Sequence, residues 1–244
     1  MKITILPVRE TVGWDGTAAV GELDPCPVVD LRAGLEAEYP TDAHFCPYYV
    51  VGAGGEVEPE IPRLNKGALD AVRASGGRVL FGVAVLDVDC PEAHAVGGEA
   101  PEAWREAQEA RIDALPRELG GAGWYETRGG YRLLWTLPEP LEVEPYLGLL
   151  AGLVVELRRH GIEADEGTIK DWNRCYRLPR VRRDGLDQRR HVDLSWMDRP
   201  LAWRSVGGAA ARKALEGIGA VRVGPVKAPE RIEKNRNVTL MSLA

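Results

Sequence analysis

This chain has no apolar run approaching the roughly 20 residues that a membrane-spanning helix needs. Its N-terminus lacks a basic stretch followed by an apolar segment and a small-residue cleavage site. Neither a membrane partner nor export is expected, and the chain reads as intracellular, in the cytoplasm. Cysteine is sparse and scattered: Cys26, Cys46, Cys90 and Cys175 lie far apart, with no Cys-x-x-Cys pair. A chain of 244 residues buries a sizeable core without cross-links, as one large domain or two small ones, so free thiols in a reducing compartment are expected. His44 and Cys46 with Cys90 and His94 could in principle supply four zinc ligands, yet these spacings match no common zinc module. Buried cysteines and surface histidines are the better reading. No internal repeat or low-complexity tract is evident.

An excess of positive charge is also missing. A net charge of −6 argues against a protein that coats nucleic acid through bulk electrostatics. The average hides an asymmetry, because residues 174–190 hold seven arginines against Asp184 and Asp187, +5 locally, which leaves −11 for the rest. An arginine-dense stretch in an acidic chain is a candidate phosphate-binding surface, with a solvated basic loop as the bland alternative.

What the chain does have is an apolar run of strand length, Val79-Leu-Phe-Gly-Val-Ala-Val-Leu-Asp-Val-Asp-Cys90, ending in two carboxylates. Side chains two apart in a strand share a face, so Asp87 and Asp89 stand as neighbours. Two such carboxylates repel, and a hard cation such as Mg²⁺ or Mn²⁺ between them relieves the repulsion. Around this run, residues 2–8 and 45–51 read as strands, residues 30–38 and 64–74 as helices, and residues 101–119 as a helix with a break at Pro116. Residues 124–127 and 131–137 read as a hairpin through Arg128-Gly129-Gly130. Residues 144–160 carry apolar side chains at helical spacing and stop at Arg158-Arg159-His160-Gly161, while 169–178 and 191–196 look like further strands. From about residue 200 the chain turns to Ala, Gly and Lys, with helical character at 209–215, and it stops inside an amphipathic segment at 238–244. These 244 residues are therefore expected to be the N-terminal part of a longer protein.

Three segments carry the chemistry: Asp87-Val-Asp89; Thr127-Arg-Gly-Gly-Tyr-Arg132-Leu-Leu-Trp135; and Thr168-Ile-Lys-Asp171-Trp-Asn-Arg174-Cys-Tyr-Arg177-Leu-Pro-Arg180. In this order the chain resembles the archaeo-eukaryotic primase superfamily, in particular the primase-polymerases of plasmids, phages and other mobile elements. Asp87 and Asp89 match the first motif and Asp171 the third. The second matches in part: Gly129 and Gly130 are present, but Arg132 stands where the family usually has the phosphate-binding His, a task a guanidinium can do bidentately.

The resemblance covers roughly residues 40–196, and residues 232–244 are similar to the start of the helical domain that often follows such modules. It implies an α+β fold with a primase-polymerase-like (RRM-like), mostly antiparallel catalytic sheet, helices packed behind it and an N-terminal α/β part. The expected division is a catalytic domain at 1–200 and a linker with the start of a helical C-terminal region at 201–244. It implies DNA primase and polymerase activity: metal-dependent, template-directed nucleotidyl transfer from nucleoside triphosphates on single-stranded DNA. Asp87, Asp89 and Asp171 would be catalytic and metal-binding; Arg128, Gly129, Gly130, Arg132, Arg174 and Arg177 would bind nucleotide; and a helicase or other replication module could follow in the full-length protein.

The physics stands beside the name, since such transfer needs cations bridging the triphosphate and the attacking hydroxyl, held by convergent carboxylates. Asp165 and Glu166 are fallback third acids. Arg174 and Arg177, three apart, would face opposite ways in a regular strand, which lets at most one enter the site. Trp124, Tyr125, Tyr131, Trp135 and Trp172 could stack on bases, though packing is the commoner role, and Lys66 reads as a solvent-facing helix lysine. Two alternatives remain open: a non-catalytic primase-like nucleic-acid-binding module, and an Asp-x-Asp nucleotide-sugar glycosyltransferase.

Overall fold

A computed structural model describes residues 1–7, 26–96, 98–116, 119, 122–183, 186–195 and 197–201. The helix expected at 209–215, the segment at 238–244 and all of the expected C-terminal region but Leu201 lie outside the described residues. Among the described residues the elements run β1 (Lys2–Pro7), β2 (Cys26–Asp30), α1 (Leu31–Glu36), β3 (Ala43–Cys46), β4 (Tyr48–Val51), β5 (Glu60–Ile61), α2 (Lys66–Ala74) and β6 (Arg78–Asp89). They continue with α3 (Pro91–Val96), α4 (Glu102–Asp113), β7 (Gly123–Glu126), β8 (Gly130–Leu141), α5 (Val143–Arg159), a 3-10 turn at Glu166–Ile169, β9 (Tyr176–Arg177), β10 (Arg180–Arg183), β11 (Leu186–Arg189) and β12 (Val192–Asp193). The fold is α+β, and the strand pairings within its sheets are antiparallel.

Among the described residues two five-stranded sheets form, one ordered β5-β2-β1-β3-β9 and the other β12-β7-β8-β6-β4, beside the separate β10-β11 hairpin. The single strand expected at 45–51 is instead two strands, β3 and β4, divided at Pro47. Proline has no N–H to continue a ladder, and the chain changes sheets there: β3 pairs with β1 and β9, whereas β4 pairs with β6. Helix boundaries follow local chemistry. The Asn65 side chain accepts from the N–H of Ala68 to cap α2, and Gly76 at φ 82° turns the chain out of it. Helix α4 stops at Asp113, ahead of Pro116, which disfavours helical backbone in the residue before it. Gly161 at φ 74° ends α5 after a basic last turn.

β6 is the spine because both of its faces are buried. Ala84, Leu86 and Val88 join Leu133 and Trp135 of β8 and Leu150, Leu153 and Leu157 of α5 in the larger core. Val83 and Val85 join Tyr125, Leu134, Ile3, Ile5, Phe45 and Tyr176 in a second core between the two sheets. A register shift between Phe81 and Val83 turns Phe81 onto the helix side, where its ring stacks on Tyr146 with centroids 3.9 Å apart. No helix among the described residues is long and apolar enough to cross a membrane.

Truncating Phe81, which is wholly buried, to Ala should cost about 3–5 kcal/mol by loss of transfer energy and creation of a cavity. Urea unfolding should show a lower midpoint with an unchanged slope.

Candidate functional site

Alternation along β6 directs Asp87 to the inter-sheet side, past Val83 and Val85. Register sets Asp87 opposite Arg132 of β8, and Arg132 opposite Tyr125 of β7. The three side chains form one row across three strands. Arg132 Nε donates to Asp87 Oδ1 at 2.6 Å, while its Nη1 donates to the Tyr125 hydroxyl at 2.9 Å and to the Arg177 carbonyl at 2.8 Å. The guanidinium carbon also lies 5.4 Å from the Tyr125 ring centre and 4.9 Å from that of Tyr176, a cation-π enclosure. Burial works against the charge on Arg132, but the Asp87 carboxylate and the two hydrogen bonds outweigh it and hold its pKa above the ordinary arginine value. Burial likewise pushes the Tyr125 phenol up to about 12, against the opposing pull of Arg132.

The second oxygen of Asp87 meets Arg174, whose Nη2 is 3.3 Å from Oδ2 and whose Nη1 lies 2.6 Å from Asp165 Oδ2. Asp165 is tied to the same place through its backbone, donating its N–H to the Asp87 carbonyl at 2.8 Å. Asp171 is exposed in the turn before β9, where its carbonyl accepts from the Arg174 N–H at 3.1 Å. Arg174 therefore joins Asp87 to Asp165, and Glu166 turns instead to Arg158 at 2.7 Å.

The strand expected at 169–178 is mostly not a strand. Asp165 Oδ1 accepts the Gly167 N–H and starts a 3-10 turn, and Asn173 Nδ2 is tethered to the Leu64 carbonyl, which leaves only Tyr176–Arg177 to pair with β3. Of the two arginines, Arg174 reaches the carboxylate, while Arg177 forks onto Asp42 at 2.8 and 3.0 Å. Elsewhere in the basic stretch the contacts lie at the surface: Arg190 pairs with Glu99, Arg180 donates to the Glu36 carbonyl, and Arg182 is exposed.

The loop joining β7 to β8 is held from behind. Arg105 of α4 donates to the carbonyls of Gly130 at 3.1 Å, Thr127 at 2.9 Å and Arg128 at 3.0 Å, and the N–H groups of Ala100 and Cys90 take the carbonyls of Arg128 and Gly129. Gly130 admits no side chain, since a Cβ there would lie 2.0 Å from the Val88 carbonyl oxygen. Gly129 lies beside Asp89, at 3.5 Å from a Cβ built on it to the carboxylate, and Arg128 is exposed at the loop. Sequence reasoning missed Arg105, Asp42 and the enclosing role of Tyr125 and Tyr176. Helix α4 buries Arg105, Gln108 and Ile112, so the i, i+3, i+7 spacing was there, but two of the three are polar and read as a solvated face.

The aromatics near the motifs serve packing. Trp135 Nε1 donates to the Leu119 carbonyl, the Tyr131 hydroxyl to Glu109, and Trp172 lies against Tyr48 and Phe81. Lys66 is exposed at the start of α2. Among the described residues no group of three or more His, Cys, Asp or Glu side chains converges as metal ligands, the His44–Cys46 surroundings included. Asp87 and Asp89 nonetheless offer hard oxygen donors side by side, with Asp89 only half-buried, so the pair fits Mg²⁺ or Mn²⁺ in donor chemistry. In comparisons with known proteins, no family model and no curated protein matches this chain.

Two predictions follow from this geometry. Asp87→Asn or Arg132→Met alone should each cost about 3–5 kcal/mol, because each strands a buried charge. The double replacement should cost clearly less than the sum, read as a coupling energy in chemical denaturation. His44, buried with Nδ1 lacking a hydrogen-bond partner, has its pKa lowered to about 3 by burial and then by the charge of Arg177. A depressed folded-state value favours the neutral form, so its stability is full above the unfolded value of 6.5 and is lost as pH falls below it. Between about pH 6.5 and 5, stability should drop by about 1.4 kcal/mol per unit, and His44→Gln should flatten that part of the profile.

Proposed function

We propose that this chain is a DNA primase/polymerase module of the archaeo-eukaryotic primase type, performing template-directed, divalent-metal-dependent nucleotidyl transfer from nucleoside triphosphates on single-stranded DNA, in the cytoplasmic replication of a mobile element. One observation carries the reading: residues from all three motif segments meet at a single carboxylate, with Asp87 held by Arg132 at 2.6 Å and by Arg174 at 3.3 Å. The same proposal takes the sheet as an RRM-like catalytic sheet with an N-terminal α/β part. Two antiparallel sheets sharing a core are compatible with that reading.

In this reading Asp87 and Asp89 hold Mg²⁺ or Mn²⁺, with Asp171 as the third acid of the resemblance and Asp165 as the acid joined to Asp87 through Arg174. A cation held there would supply Lewis-acid stabilisation of the charge that develops in phosphoryl transfer. Arg132, Arg174 and Arg128 neutralise phosphate oxygens. Gly129 and Gly130 keep the loop thin enough for backbone to approach phosphate, and Arg105 fixes the loop's carbonyls on the inner side. Arg177 contributes its carbonyl, which orients Arg132.

A second reading, a primase-like module that binds nucleic acid without catalysis, is favoured by one feature: both oxygens of Asp87 already face guanidinium groups in a buried pair. The test incubates the protein with single-stranded DNA and labelled ribo- or deoxynucleotides in Mg²⁺ or Mn²⁺, with and without primer. Asp89→Asn is the informative variant, because removing Asp87 also strands Arg132. Templated product that falls about 100-fold or more in this variant, with the fold unchanged by circular dichroism, is the expected outcome. DNA binding that survives in both proteins with no product in any lane would overturn synthesis and leave the binding module.

A further inference from the structure

Cys46 ends β3, and Cys175 immediately precedes β9. The register of these strands sets His44 opposite Arg177 and Phe45 opposite Tyr176, and one further step along it brings Cys46 to Cys175 just past the end of the ladder. Antiparallel neighbours are about 4.5–5.5 Å apart at Cα, inside the range a disulfide requires. The two sulfurs are 3.6 Å apart, in direct contact, and both thiols are free. Cys46 is completely buried and Cys175 partly exposed. The other two cysteines, Cys26 and Cys90, are buried elsewhere, and Cys90 is turned to Glu92.

We propose that Cys46 and Cys175 form a redox modification site, converted by a small-molecule disulfide of the glutathione class into an intramolecular disulfide that ties the Asp171–Arg174 turn to β3. The exchange balances in two steps. The Cys175 thiolate attacks one sulfur of the oxidised disulfide, forming a mixed disulfide and expelling one thiolate. Cys46 then gives up its proton and attacks the Cys175 sulfur, expelling the second thiolate. The protein loses two protons and two electrons, and one small disulfide becomes two thiols.

The surroundings favour this order of attack. Contact with the Cys46 thiol and the charge of Arg63 hold the Cys175 thiol below its ordinary range, against the opposing effect of burial, while burial and contact with Cys175 keep Cys46 protonated. A partly exposed, more acidic thiol backed by a buried partner is the arrangement of an attacking and a resolving cysteine. Both sulfurs also approach the Asn173 carbonyl, one residue before the Arg174 that holds Asp87 and Asp165. Closing the disulfide therefore restrains the arm that bears Arg174. Its bearing on catalysis rests on the function proposed above; the modification itself does not.

The test equilibrates reduced, folded protein in glutathione buffers from fully reduced to fully oxidised, quenches with acid, alkylates free thiols and maps peptides by mass spectrometry. The expected result is a Cys46–Cys175 linkage with Cys26 and Cys90 alkylated, reversed by dithiothreitol. Cys46→Ser should stop at the mixed disulfide on Cys175, and Cys175→Ser should leave Cys46 unmodified. Amide hydrogen exchange across residues 171–177 should slow on oxidation of the wild type and stay unchanged in either variant. If all four thiols alkylate at every ratio, or if the linkage maps to another pair, the proposal is overturned. Wild-type mapping alone decides this even where a variant fails to fold, and no step of it reads nucleotide chemistry.

Discussion

The cross-strand contact between Asp87 and Arg132 is the constraint around which the site is arranged. A carboxylate almost fully removed from water needs a partner, and a guanidinium equally removed needs several, since it has five N–H donors to satisfy. Arg132 meets that demand with Asp87, the Tyr125 hydroxyl and the Arg177 carbonyl, all within 2.9 Å. Each partner lies on a different strand, so one ionic group fixes the relation of β6, β7, β8 and β9 at the end of the inter-sheet core. The second guanidinium, from Arg174, extends the network to Asp165 and thereby to the turn that follows α5.

Under the proposed function this network bears on chemistry as well as stability. Position 132 holds a permanent cation facing Asp87, where the resembled family usually has a titratable His. A permanent charge adjusts carboxylate and phosphate alike, and it does so at every pH the protein meets. The proposed nucleotidyl transfer requires the arginines around Asp87 to serve phosphate as well as carboxylate. A binding module requires only that they remain where they are. The loop at 127–130 is neutral ground between the two readings, since its carbonyls are tied back by Arg105, Ala100 and Cys90 whichever holds.

Much of the secondary structure was legible because it depends on neighbours in sequence. The β6 run, the Gly129-Gly130 hairpin, and α5 with its basic end and Gly161 stop all follow from periodicity and local backbone preference. The fork at Pro47 was not, although the proline was visible, because a missing N–H says that a ladder ends and not which sheet receives the next strand. The segment at 169–178 looked like a strand from its composition. It became a turn because Asp165 caps Gly167 and Asn173 finds the Leu64 carbonyl, a partner far away in the chain.

By itself, the sequence determined that Asp87 and Asp89 share a face and that a hairpin turns at Gly129-Gly130, because strand alternation and a tight turn are local geometry; which residues face each other across it, Tyr125 opposite Arg132, came from the structure. It also placed arginines and glycines after that carboxylate pair in the chain. Only the tertiary structure decided how they are used. Pairing of β6 with β8 set Arg132 against Asp87, docking of the turn after α5 chose Arg174 over Arg177, and Asp165 rather than Asp171 became the acid that shares Arg174 with Asp87. Burial turned Arg105 from an apparent surface residue into the clamp on the glycine loop. These outcomes depend on which distant groups remain to satisfy a buried charge once water is excluded, and that is settled only when the sheets close over their shared core.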